Sequence, residues 1–165
     1  RDFYYMDIYK VFTQLVQKHG FEAKNLHLEI TETAVMSDTK KVIRLVNKLR
    51  QYGFKVEMDD FGSGYSSLNM LKDVNVDVLK IDMKFLKMDE NTMDKTRNNE
   101  RSMSIVSNVI HLSKRLGMEV VTEGVETREQ VDALTMMGCD VFQGYYFAKP
   151  MSVWDYEDKY ISTEG

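Results

Sequence analysis

Carboxylates stand in pairs just beyond short apolar runs of this chain. Glu29 and Glu32 follow the run that starts at Leu26, Asp59 and Asp60 close the run Phe54 to Met58, and Glu123 and Glu126 follow Met118 to Thr122. Two other polar groups occupy matching places. Lys80 and Asp82 end the run Asp77 to Ile81, and Gln143 follows Asp140 to Phe142. Several carboxylates with no cysteine or histidine among them favour a hard cation, Mg²⁺ or Mn²⁺, over zinc. Metals held by carboxylates activate water and offset the charge of a phosphoryl group during in-line displacement. A lysine in the set can orient or help deprotonate the attacking water, and a glutamate can serve as general base. Gly62 and Gly64, just after Asp60, let the backbone approach a ligand closely. Taken alone, "FGSGYSS" is a weak phosphate-loop signal, because no lysine follows its second glycine.

A single acid at a strand end is more often a helix cap or a turn former than a ligand. Asp38 and Thr127 are expected to be caps, and Thr127 pairs with Gln130 in the spacing of a capping box. What caps do not explain is a functional group at the mouth of five successive strands. His19, His27 and His111 fall on helices or early in a strand and read as surface or core-edge residues. The aromatic residues read as core or rim, with Tyr145 and Phe147 following Gln143 at the mouth of the last strand.

The elements that must carry these groups follow from hydrophobic spacing. Apolar residues recur at helical intervals over Phe3 to His19, Asp38 to Tyr52, Met103 to Leu116 and Thr127 to Met137, and glycine follows each. A shorter helix is expected over Ser66 to Leu71. Strands are expected near Leu26–Ile30, Phe54–Met58, Asp77–Ile81, Met118–Thr122 and Asp140–Phe142. This alternation predicts βα units around a parallel sheet. In such folds ligands bind at the carboxyl ends of the strands, where the polar set lies. Residues 87–101, more than half of them charged, are expected to form a solvated surface loop with a frayed helix start.

Composition narrows the function classes. The 165 residues carry 22 basic and 26 acidic side chains, for a formal charge of −4. That balance offers no basic footprint for polymeric nucleic acid, so an anionic substrate would need local cations. One cysteine, Cys139, rules out an internal disulfide framework and fits a reducing cytoplasm. No apolar run reaches membrane-spanning length, so no membrane contact is expected of this segment, although a parent protein with upstream domains could be anchored. The twelve methionines read as adaptable core filler.

Five stretches, in order, resemble the EAL domain family: "LEITET" (Leu28–Thr33), "DDFGSGYSS" (Asp59–Ser67), "LKID" (Leu79–Asp82), "TEGVET" (Thr122–Thr127) and "GCDVFQGYYFAKP" (Gly138–Pro150). The resemblance implies a (β/α)₈ barrel that hydrolyses cyclic di-GMP, a bacterial second messenger, to linear pGpG with Mg²⁺ or Mn²⁺. It implies Glu29, Asp59, Asp60 and Glu123 as metal ligands. Lys80, Glu123 and Asp60 would be the catalytic groups, with Lys80 on the attacking water. Glu32 would steady the loop after Asp60, and Glu126 and Gln143 would support the site or contact substrate.

Some features depart from the family pattern. Ser63 replaces the usual threonine, Met83 and Lys84 replace the commoner pair after the aspartate, and the 87–101 loop is long. The Glu-Ala-Leu signature and a metal-binding asparagine are expected before Arg1. The chain is thus expected to be the C-terminal two-thirds of one EAL domain over 1–165: a partial α/β TIM-type barrel of about five parallel strands with its first strands missing. Alone it is expected to be inactive and to self-associate or dimerise through its open sheet edges. The alternative function is a non-catalytic cyclic-di-GMP receptor or protein-interaction module.

Overall fold

The computed structural model describes residues 2–62, 68–83 and 95–161. Five strands form one parallel sheet in chain order: β1 (His27–Thr31), β2 (Lys55–Phe61), β3 (Val78–Asp82), β4 (Glu119–Glu123) and β5 (Val141–Gln143). The larger helices are α1 (Asp2–His19), α3 (Thr39–Tyr52), α5 (Lys95–Arg115) and α6 (Arg128–Met136). Among the described residues there are also short helices α2 (Glu32–Ser37), α4 (Leu68–Asp73) and α7 (Val153–Tyr156). This is the alternating α/β architecture expected from the sequence.

α3 shows why these segments fold as they do. Val42, Leu45, Val46 and Leu49 are buried at helical spacing. The Asp38 carboxylate accepts from the Lys41 N–H at 3.4 Å and caps the start. Gly53 ends the helix at φ 114°, a left-handed conformation that glycine adopts without strain. α1 lies on the same cluster, with Tyr9 edge-on to Tyr52 at 6.1 Å and Phe12 against Phe54 at 6.3 Å. Truncating Leu49 to Ala is expected to cost roughly 2–5 kcal/mol, as for other fully buried leucines.

The sheet has two unlike faces. Register pairs Leu28 with Val56, Ile30 with Met58, Met58 with Leu79, Leu79 with Val120 and Thr122 with Phe142. These residues therefore share the face that packs against the helices, and most are buried. Strand alternation sends Glu29, Glu57, Asp59, Lys80, Glu123 and Gln143 to the other face. In a closed barrel that face is the interior.

Two boundaries differ from expectation. α5 starts at Lys95, ahead of the start expected at Met103, so the helix start expected within the charged run 87–101 already belongs to this helix. Its apolar repeat begins only near Met103, which hides the earlier turns from a periodicity reading. α2 is not predicted by spacing at all, because six residues are too few to show a helical period. The sequence readings of Ser63, Gly64, Lys84 and residues 87–94 lie outside the described residues.

Candidate active site

β3 is the central strand, and its residues Val78 to Ile81 are all buried. Lys80 therefore enters the site from a buried stretch of the central strand, with its side chain 10% exposed. Its Nζ lies 2.8 Å from Glu29 Oε1, 2.7 Å from Glu123 Oε1 and 3.4 Å from Asp59 Oδ1. Three strands thus send a carboxylate to one ammonium. Burial by itself lowers the Lys80 pKa. Hydrogen bonds to Glu123 and Glu29, with the charges of Glu123 and Asp59, outweigh burial and raise it above the ordinary lysine value. Lys80 is an ammonium throughout the neutral range. It can donate and position, but it has no lone pair with which to take a proton.

Asp59 and Asp60, neighbours in sequence, stand at a bulge. Met58 pairs with Leu79 and Phe61 pairs with Ile81, so two residues of β2 stand opposite the single residue Lys80. Asp60 takes the extra position at φ 57°, among the few non-glycine types that tolerate it. Its N–H donates to Asp59 Oδ1 at 3.0 Å. Strict alternation would have turned Asp60 toward the helices. The bulge leaves it exposed beside Asp59 instead.

Glu32, the first residue of α2, is buried at 2% exposure. Its Oε2 accepts from the Gly62 N–H at 3.2 Å and so ties the end of β1 to the turn after β2. Glu126 and Gln143 stand apart from the Lys80 cluster. They line an adjoining cleft of about 330 Å³ with Glu123, Asp82 and Tyr145. The sequence-derived residues thus fall into two neighbouring groups that share Glu123. Phe147 stacks on Phe142 at 6.4 Å and does not line that cleft, so of the two aromatics Tyr145 alone faces it. The histidines bind elsewhere: His27 pairs with Glu57, His19 stacks on Phe21, and His111 Nδ1 contacts the Ser107 carbonyl.

The donors suit a hard divalent cation. Among the described residues, no three carboxylate, imidazole or thiol groups form a ready-made cage. The Lys80 ammonium stands where they would meet. Its contacts show that oxygens from three strands can reach one cation, and an all-oxygen set is what Mg²⁺ or Mn²⁺ takes.

A family model described as "EAL domain" matches residues 5–150. The chain belongs to the EAL domain family. It is 38% identical over 136 residues to the cyclic di-GMP phosphodiesterase NbdA of Pseudomonas aeruginosa, covering 82% of this chain and 16% of NbdA. It is 39% identical over 137 residues to the cyclic di-GMP phosphodiesterase RocR of the same organism, covering 83% of this chain and 33% of RocR. The structure of Klebsiella pneumoniae BlrP1 with manganese and cyclic di-GMP matches with a TM-score of 0.74 at 30% identity, over 87% of this chain and 35% of BlrP1. The chain therefore spans about a third or less of the length of these two curated relatives.

Two features of this EAL chain escaped the sequence reading. Glu57 shares the face and strand of Asp59, and its spacing of two was a visible signal. Gly144 packs against the backbone of Val125 beside Gln143, and nothing in the sequence announces that contact.

Proposed function

We propose that this chain supplies the water-activating half of a cyclic-di-GMP phosphodiesterase. The observation that carries the reading is Lys80, buried and held by Glu29, Asp59 and Glu123 from three different strands. One ammonium among three carboxylates leaves negative charge in excess. A dianionic substrate would be repelled unless divalent cations joined the site. Glu29, Asp59, Asp60 and Glu123 would hold Mg²⁺ or Mn²⁺, which when bound activates water and neutralises the phosphoryl oxygens. Lys80 donates to the attacking water and orients it. Glu123 or Asp60 receives the proton that the water loses. The water oxygen bonds to phosphorus, the bond from phosphorus to the ribose 3′ oxygen breaks, and that oxygen takes a proton from solvent and leaves as a hydroxyl. The product is linear pGpG. Glu32 keeps the turn after Asp60 in place through Gly62, and Glu126 and Gln143 present the adjoining cleft to substrate.

The reading includes the whole domain. Eight-stranded barrels run to about 250 residues, and we take 1–165 to be the C-terminal portion of one such EAL domain. Among the described residues, the outer edges of β1 and β5 have no strand partner. Open parallel edges invite pairing, so the isolated chain is expected to self-associate. Light scattering checks this, and a monodisperse monomer contradicts it. Chromatography of cyclic di-GMP with Mn²⁺ tests the activity, comparing this chain with a form extended upstream to a full barrel. The extended form is expected to release pGpG and the short one none. Binding without hydrolysis by the extended form would make the domain a receptor and sink the catalytic reading.

A further inference from the structure

The loops that follow β4 and β5 are joined by their backbones. Val125, fully buried, donates its N–H to the Gln143 carbonyl at 3.1 Å and accepts from the Tyr146 N–H at 3.0 Å. Gly144 lies between those two bonds, flat against the Val125 peptide. A Cβ on Gly144 would stand 2.1 Å from Val125 O, 2.4 Å from Val125 N and 2.8 Å from Val125 C. All three are backbone atoms, so no side-chain rotation relieves the clash. Glycine is required here by space alone. The same contact borders the cleft, since Glu123 pairs with Gln143 at the ends of β4 and β5 and both line it with Glu126.

We propose that Gly144 is a positioning residue: its contact with Val125 holds the two loops together and so fixes Gln143 relative to Glu123 and Glu126. The inference rests on reading that cleft as the substrate-facing wall. β5 has only three residues and, among the described residues, pairs on one side only, so its ladder does little to hold Gln143 in place. The clamp supplies the constraint that the short strand lacks. An alanine at 144 would change no polar group in the cleft, yet it would push its two sides apart.

Hydrogen exchange and chemical shifts by NMR test this on the chain without any ligand. In Gly144→Ala, exchange at the Val125 and Tyr146 amides is expected to rise by about tenfold or more. The Gln143 carboxamide and the Glu123 amide are expected to shift, while Val56 and Asp77, at the far end of the sheet, stay protected. Val125→Ala, which trims the core but keeps both backbone bonds, is expected to lower the melting temperature without those shifts. Unchanged Gln143 and Glu123 signals in G144A overturn the proposal, since the contact would then stabilise without positioning. If G144A fails to fold, Tyr146→Pro carries the test. Run beside Tyr146→Ala, which removes the ring contacts with Phe147 (5.0 Å) and Arg128 and leaves the backbone donor, it isolates the N–H given to Val125. It must shift the same two signals, and unshifted signals overturn the proposal. Cyclic di-GMP with Mg²⁺ is then added to full-barrel forms of the unmodified chain and of G144A. A response only by the unmodified chain, or half-saturation at about tenfold more ligand in G144A, supports positioning of the substrate wall. Equal titrations overturn it. No response by either chain counts against the proposed function, and the ligand-free spectra then decide the role of Gly144 by themselves.

Discussion

The two ends of the sheet both place a cation between strands, and they do so differently. At the amino end, Arg50 donates from Nε to Asp77 Oδ2 at 3.1 Å and from Nη2 to Asp77 Oδ1 at 2.9 Å. Its Nη1 also reaches the Asn75 carbonyl at 3.1 Å, and Asp77 Oδ2 accepts the Val56 N–H at 2.9 Å. One positive charge meets one negative charge, in bidentate geometry, with backbone groups satisfied. At the carboxyl end, Lys80 faces Glu29, Asp59 and Glu123, and the strand beside it is bulged with Asp60 at positive φ. The amino end is neutral and regular, as a structural latch should be. The carboxyl end keeps surplus negative charge and local strain, which folding alone would not favour. The contrast marks the carboxyl end as the working end, where parallel barrels carry their chemistry.

The largest effect that can break this contrast is expected at Lys80. In a full-barrel form, Lys80→Met is expected to lower cyclic-di-GMP turnover by roughly 10³-fold, on the scale of losing a key electrostatic donor. In metal-free buffer it is also expected to lose about 2 kcal/mol of stability. That is less than the roughly 3–5 kcal/mol for breaking a fully buried pair, because the Glu29 side chain is half exposed. Denaturant melts and product chromatography read the two effects separately. Glu32→Gln comes next. It keeps the shape but weakens the hold on Gly62, and titration calorimetry should show metal affinity down by about 10–100-fold.

Asp77→Asn should do the reverse, lowering stability by about 1–3 kcal/mol while leaving turnover unchanged. Its pH dependence sharpens the point. Burial alone raises the Asp77 pKa, but hydrogen bonds from Arg50 and the Val56 N–H, with the charges of Arg50 and Lys55, bring it below the ordinary value. A carboxyl with a lowered folded pKa stabilises fully above its unfolded pKa of about 3.9. The contribution is lost as pH falls through the folded pKa. The stability gap between Asp77 and its Asn variant should therefore be flat above about pH 5 and narrow below about pH 4. A turnover change in D77N would erase the distinction between the two ends. The smallest effect belongs to the cap of α6, next to Glu126, whose N–H Gln130 Oε1 also accepts at 2.7 Å. Thr127 Oγ1 accepts from the Gln130 N–H at 3.3 Å, and Gln130 Oε1 accepts from the Thr127 N–H at 3.1 Å. Thr127→Ala should lose about 1 kcal/mol and no activity.

The sheet was legible because each strand ends an apolar run and each long helix has a regular apolar face. The caps at Asp38 and Thr127 were legible for a similar reason, since capping needs only local spacing. So was the gathering of polar groups at one end, because strand ends of a parallel sheet share a side. Three things were not legible. The partners Arg50 and Asp77 are 27 residues apart, and no local rule links them. The bulge at Asp59 and Asp60 depends on register with β3, which alternation within β2 does not reveal. Gly144 is needed for space against Val125, a tertiary demand without a turn signature. The resemblance to EAL domains supplied the expected link from Glu32 to the loop after Asp60, and the bond to Gly62 gives it a geometry.

The most direct test is pGpG release from cyclic di-GMP, with Mn²⁺, by a full-barrel form carrying either Lys80 or Lys80→Met. The account predicts pGpG from the first and at most about a thousandth of that rate from the second. Equal rates from the two, or no pGpG from the form with Lys80, would contradict it.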